Sequence, residues 1–269
     1  MQVLEYLRFF LYGLIQGLTE FIPVSSTAHL KIISLFFGFE DPGPSISAII
    51  QLGSVLALFW YFKNDIFKFF KPNSQRSLKP FFKKKLLSSI FIGTIPIVLS
   101  GLLVKLLISG FYNDVLRSNI SIAIISLLMA SFMFFANKSR NKFINISNHN
   151  YKHSLLIGLA QAFAIIPGVS RSGATISLAF LTGWDRRDAA KFSFLLGIPS
   201  ITLAAIFEFI FYFNHSSVFS LYPLIIGLIS TFFSSLIAID FLLKYLPSKG
   251  LKLFIYYRFI FAILILLKI

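Results

Sequence analysis

Two short stretches hold most of the residues able to do chemistry in this 269-residue chain. In the first, Gln16 and Glu20 stand four residues apart on one helical face, and Ser25, Ser26, Thr27 and His29 follow directly after Pro23. A carboxylate, hydroxyls and an imidazole so close together can hold a cation, activate a nucleophile or move a proton. The second stretch is Pro167-Gly168-Val169-Ser170-Arg171-Ser172-Gly173-Ala174-Thr175. Its glycines allow the backbone to approach a ligand closely, Ser170 and Ser172 add hydroxyls, and Arg171 opens a helix. A helix N-terminus offers free N–H groups and a positive dipole end, and a guanidinium is a planar fork matched to phosphate oxygens. The chemistry indicated is the handling of a phosphate-like anion. Read without chemistry, Ser25 and Ser26 would only cap a helix, Glu20 would reach to the membrane interface, and Arg171 would pair with lipid headgroups.

The elements that position these residues lie in lipid. Hydrophobic residues make up 57% of the chain and charged residues 13%, with a mean hydropathy of +0.81, too little polar surface to cover a water-soluble globule. An ionisable side chain at that depth is costly and usually faces a partner or a wet cavity, which singles out Glu20 and His29. The net charge of +15 is assigned to loops and anionic headgroups, so nucleic acid is not expected as a partner. The absence of cysteine excludes disulfides and thiolate chemistry. The N-terminal stretch lacks a basic leader and a small-residue cleavage pattern, so it is not read as a removable signal peptide.

Hydropathy places six spans, at 45–62, 86–108, 118–136, 190–212, 221–243 and 251–268. Two further apolar regions, 4–38 and 153–183, are each broken by proline and small polar residues, at Pro23 to Thr27 and at Pro167 to Ser172. They are expected to be re-entrant helical hairpins. Gly13-Leu14-Ile15-Gln16 recurs as Gly158-Leu159-Ala160-Gln161, and Gln51-Leu52-Gly53 is echoed by Leu195-Leu196-Gly197, an offset of about 145 residues. The expected fold is therefore an all-α polytopic membrane protein, one membrane domain over 1–269, with six transmembrane helices and two re-entrant hairpins. These fall in two inverted-topology repeats, about 1–136 and about 153–269.

Basic residues crowd the 63–85 and 137–152 loops, whereas the loops around 39–44, 109–117 and 213–220 carry only Arg117 among Lys and Arg. The first pair is expected to be cytoplasmic and the others external. Glu208, Asp240, Gln51, Met129 and Met133 receive structural readings, as span-end charges, an interhelical contact and packing.

The stretch from Gln16 to His29 and the stretch from Pro167 to Thr175 closely resemble the two signature motifs of the bacterial undecaprenyl-diphosphate phosphatases, also called bacitracin-resistance proteins. Length, hydropathy and the closing Tyr257-Arg258-Phe259 agree with that family across the whole chain. The resemblance implies hydrolysis of undecaprenyl diphosphate to undecaprenyl phosphate and phosphate, recycling the carrier lipid for peptidoglycan synthesis and conferring bacitracin resistance. It implies a multi-pass protein of the bacterial inner membrane, with its site open to the periplasm and with a prenyl diphosphate and membrane lipids as partners; a homodimer is left open. It also implies a divalent cation, Mg²⁺ or Ca²⁺. By the same resemblance Glu20, Ser26, His29 and Arg171 are catalytic, Gln16, Ser25, Thr27, Ser170, Ser172 and Thr175 line the phosphate site, and Glu20 is the metal ligand. Gln16 stands where many members of the family carry a second carboxylate. The nucleophile is expected to be Ser26 activated by His29, with a water activated by His29 as the alternative. The competing function is a transporter for a lipid phosphate, since inverted repeats with broken helices are its usual architecture.

Overall fold

A computed structural model describes residues 2–64, 80–139, 143–215 and 221–268. Eleven helices account for most of the described chain: α1 (Gln2–Phe21), α2 (Ser26–Phe37), α3 (Gly43–Ile50), α4 (Leu52–Tyr61), α5 (Pro80–Leu107), α6 (Asn119–Asn137), α7 (Tyr151–Ala162), α8 (Arg171–Leu181), α9 (Arg186–His215), α10 (Leu221–Lys249) and α11 (Lys252–Lys268). A short irregular helical stretch, Ser109 to Leu116, joins α5 to α6. The described residues form no sheet beyond a single bridge between Ile144 and Trp184. All-helical architecture suits lipid, because a helix satisfies its backbone polar groups within itself.

Five segments are long and apolar enough to cross a membrane: Gly43–Tyr61, Lys84–Leu107, Asn119–Asn137, Arg186–Ile210 and Leu221–Lys249. The expected sixth span, α11, is a helix of 17 residues and falls just short of that length. The span expected as one helix over 45–62 is interrupted at Gln51, where the Ser54 N–H bonds to Gln51 O at 2.9 Å and tightens the turn. Both expected breaks are present, since α1 stops at Phe21 before α2 begins at Ser26, and a 3₁₀ turn after α7 leads to α8 at Arg171. Most of the basic 63–85 loop and all of 216–220 lie outside the described residues.

Packing places the two breaks at the centre. α1 lies along α10 and α7 along α5, while α6 and α11 pack together and α8 contacts α6, α7 and α9. Glycine makes two of these approaches close: a Cβ at Gly13 would overlap the backbone of Gly227, and one at Gly158 would overlap the backbone of Gly93. In lipid, where helices gain little from burying apolar surface, such close approach supplies van der Waals contact. Beneath the breaks an apolar cluster including Phe21, Val24, Phe180, Trp184, Phe194 and Ile239 closes the core.

Candidate active site

Each half-helix starts from the same local device. Ser25 and Ser170 are the two residues other than glycine with positive φ among those described, at 77° and 71°. A β-carbon disfavours that region by about 1 to 3 kcal/mol unless the surroundings over-determine it. At each break the serine hydroxyl caps the helix that follows: Ser25 Oγ accepts from the Ala28 N–H at 3.4 Å and Ser170 Oγ from the Gly173 N–H at 3.2 Å. The left-handed residue reverses the chain sharply, so the first N–H groups of α2 and α8 emerge at the breaks.

Glu20 is where the breaks meet. Its Oε2 accepts from Gln16 Nε2 at 2.9 Å and from Ser26 Oγ at 2.8 Å, while its Oε1 accepts from Arg171 Nη2 at 3.2 Å. The pair is buried, with side-chain exposures of 3% for Glu20 and 8% for Arg171, so screening by water is weak and an unpaired partner would be expensive. Arg171 is placed from behind by Ser193, whose carbonyl accepts from Nη1 at 3.1 Å, and by Gly197, where any Cβ would overlap the guanidinium. Its Nε–H is buried and has no partner among the described residues.

The remaining hydroxyls stitch the two breaks together. Ser172 Oγ donates to the carbonyls of Ile22 and Glu20 at 3.3 and 3.4 Å, and Thr175 Oγ1 bonds to Arg171 O at 2.8 Å and to the Ser193 hydroxyl at 2.6 Å. Ser170 and Ser172 hydroxyls lie 3.3 Å apart. Gln16, Glu20, Ser26, Arg171, Ser172 and Thr175 are thus brought into one network. Thr27, in the first turn of α2, has no hydrogen bond into it among the described residues.

His29 is placed differently from the expectation that it serves Ser26. Its Nδ1 lies 2.7 Å from Ser25 O and its Nε2 lies 2.6 Å from the Tyr257 hydroxyl on α11. Ser26 donates to Glu20 instead. The i,i+3 spacing puts Ser26 and His29 on neighbouring turns but does not make their functional atoms meet.

Sequence reasoning missed Arg258 as part of the centre, although an arginine inside an apolar helix at membrane depth was a signal of the kind that singled out Glu20. Arg258 is fully buried. Its guanidinium donates to Pro23 O in the first break and to Gly168 O and Val169 O in the second, with Nε directed at Ser126 O on α6. A single side chain therefore satisfies carbonyls that both breaks leave without helical partners. Ser193 and Gly197 carried no comparable signal.

Fold and site together define a multi-pass helical membrane protein with a buried polar site where two broken helices meet. A family described as "Bacitracin resistance protein BacA" matches residues 9–264. An undecaprenyl-diphosphatase of Prochlorococcus marinus (strain MIT 9515) is 65% identical over 99% of this chain and 100% of that relative. A protein of the same name from Synechococcus sp. (strain CC9311) is 42% identical over 96% of this chain and 93% of its own length. The chain belongs to the bacitracin resistance protein BacA family.

Proposed function

We propose that the chain hydrolyses undecaprenyl diphosphate to undecaprenyl phosphate and inorganic phosphate, recycling the carrier lipid for peptidoglycan synthesis and conferring bacitracin resistance. Near-complete alignment with relatives named undecaprenyl-diphosphatase supports the substrate. The geometric observation that carries the reading is Glu20, held at once by Ser26 at the start of α2 and by Arg171 at the start of α8. That is a nucleophile and an anion-binding cation both joined to one base, more than anion transport requires.

When the distal phosphate arrives, Arg171 gives up Glu20 for phosphate oxygens, and the N–H groups opening α2 and α8 share the charge. Ser26 is then the nucleophile, its proton passing to the Glu20 carboxylate. The serine oxygen bonds to the distal phosphorus as the bridging P–O bond breaks, and undecaprenyl phosphate leaves. Water afterwards cleaves the phosphoserine, returning the Ser26 hydroxyl and releasing phosphate.

The donor set suits a hard cation: one carboxylate with amide and hydroxyl oxygens, the shell completed by substrate phosphate and water. Among the described residues no group of three His, Cys, Asp or Glu gathers to form a cage. Glu20, with the amide oxygen of Gln16, would hold Mg²⁺ or Ca²⁺, which supplies neutralisation of phosphate charge when bound.

The topology we propose has six crossings and two re-entrant hairpins in two inverted repeats, in the bacterial inner membrane with the site open to the periplasm. Several observations support it. α2, α7 and α8 have 12, 12 and 11 residues, or about 18 Å or less, short of the roughly 30 Å hydrocarbon core. Ser25 and Ser170 share their backbone conformation, and the α1–α10 glycine contact has its counterpart between α7 and α5.

The test is phosphate release from a prenyl diphosphate by the purified protein in detergent, with and without Mg²⁺. Release by the wild type, lost in Ser26→Ala and Glu20→Gln, is the expected result. Tight binding of the lipid with no release would overturn the hydrolase and favour a transporter.

A further inference from the structure

Helix α11 supplies a side chain that neither broken stretch contains. Tyr257 and Phe261 stand four apart on one face of α11, and the imidazole of His29 lies against both. The Phe261 ring stacks on it with centroids 4.3 Å apart and planes within 6°. The Tyr257 ring runs nearly parallel at 5.6 Å and 12°, its hydroxyl 2.6 Å from Nε2.

The donors in this arrangement are fixed by chemistry. Ser25 O is a carbonyl and can only accept, so the proton of a neutral His29 sits on Nδ1. Nε2 is then the bare, basic nitrogen, and the Tyr257 hydroxyl must donate to it. The imidazole cannot rotate without losing the Ser25 bond, the Tyr257 bond and the Phe261 stack together. Its basic nitrogen is thereby committed to the α11 side, where Tyr257 is 41% exposed, while Ser26 is bonded to Glu20.

We propose that Tyr257 is a positioning residue for the hydrolysis, orienting His29 so that its Nε2 lone pair works on the α11 side of the site, on water, and not on Ser26. This rests on the phosphatase reading. It divides the labour of the site in two: Glu20 serves Ser26, and His29, held by Tyr257, serves the group that enters from the side of α11. The phenol holds the lone pair in the resting enzyme and yields it when water takes its place.

Tyr257→Phe keeps the ring and removes only the hydroxyl, and Tyr257→Leu removes the stack as well. The expected result for Tyr257→Phe is a fall in kcat of roughly tenfold with KM within about twofold, because an orienting bond is lost and substrate binding is not. A purely structural tyrosine would leave kcat intact wherever the variant folds. The second readout is independent of turnover. With ¹⁵N-histidine in the full-length protein at alkaline pH, the His29 signals are identified by their loss in His29→Ala. Wild type should show a protonated Nδ1 and a bare, hydrogen-bonded Nε2, and Tyr257→Phe should move the Nε2 resonance towards that of a free lone pair. A wild-type spectrum with the proton on Nε2, or an unmoved Nε2 resonance or unchanged kcat in Tyr257→Phe, would overturn the proposal. If Tyr257→Phe fails to fold, the wild-type tautomer still decides. If the wild type releases no phosphate, the phosphatase reading fails, and the spectrum alone judges the link between Tyr257 and His29.

Discussion

The guanidinium of Arg171 lies 3.2 Å from the carboxylate of Glu20, although 151 residues separate them in the chain. The contact ties the start of α8 to the end of α1 and poises a cation to change partners. Arg171→Lys keeps the charge and loses the planar fork, so phosphate release should fall roughly a hundredfold, as expected for transition-state contacts worth about 3 kcal/mol. Glu20→Gln should be equally damaging, and it alone should alter the dependence on divalent-ion concentration. Turnover of the purified variants, with lipid binding recorded separately, checks both. Near wild-type turnover in Arg171→Lys would remove Arg171 from the reaction.

Arg258 should matter for stability before it matters for chemistry. Replacing it by Met leaves the carbonyls of Pro23, Gly168 and Val169 buried without that donor. Each orphaned acceptor costs about 1 to 3 kcal/mol, so the melting temperature in detergent should fall by several degrees. Arg258→Lys, which reaches fewer acceptors, should lie between Met and wild type. A Met variant as stable as wild type would show that the breaks hold themselves.

The loop between α2 and α3 predicts a pH dependence. Asp41 is ion-paired with Arg117 at 2.7 Å and with Lys31 at 3.1 Å, and accepts from the Gly43 N–H at 3.0 Å. Burial works against the charge of Asp41, but Arg117, Gly43 and Lys31 together hold its carboxyl below the ordinary range. A carboxyl lowered in the folded state contributes stability that is present above its ordinary value of about 4 and lost as pH falls through the folded value. Wild type should therefore melt above Asp41→Asn from neutral pH down to about pH 5, with the gap closing at lower pH. A gap that does not change with pH would detach the loop's stability from this charge.

Orientation is open to direct labelling because the chain has no cysteine. Asn148, exposed in the loop before α7, and Asn113, exposed between α5 and α6, should lie on opposite faces. An impermeant thiol reagent added outside intact cells should label Asn113→Cys and reach Asn148→Cys only after permeabilisation. The reverse pattern would invert the assignment.

The sequence by itself determined the solvent, the helices and the neighbourhood of the chemistry. Long apolar runs leave only helices as spanning elements, and proline with small polar residues at Pro23 and Pro167 stops a helix whatever surrounds it. The dense polar groups at Gln16 to His29 and Ser170 to Thr175 named most of the network around Glu20 because those residues are local to the breaks. Partnership was decided by the tertiary structure alone. Helical spacing puts Ser26 and His29 on one face, yet α11 captures the imidazole with Tyr257 and Phe261, while Glu20, on the other side of the break, takes the serine. Arg258 lies 90 residues from Gly168 and 235 from Pro23, so only the packing of α11 against α6 brings it beneath both breaks. Ser193 and Gly197 became part of the site for the same reason: a backbone carbonyl and an absent side chain carry no chemical signal until a guanidinium is folded against them.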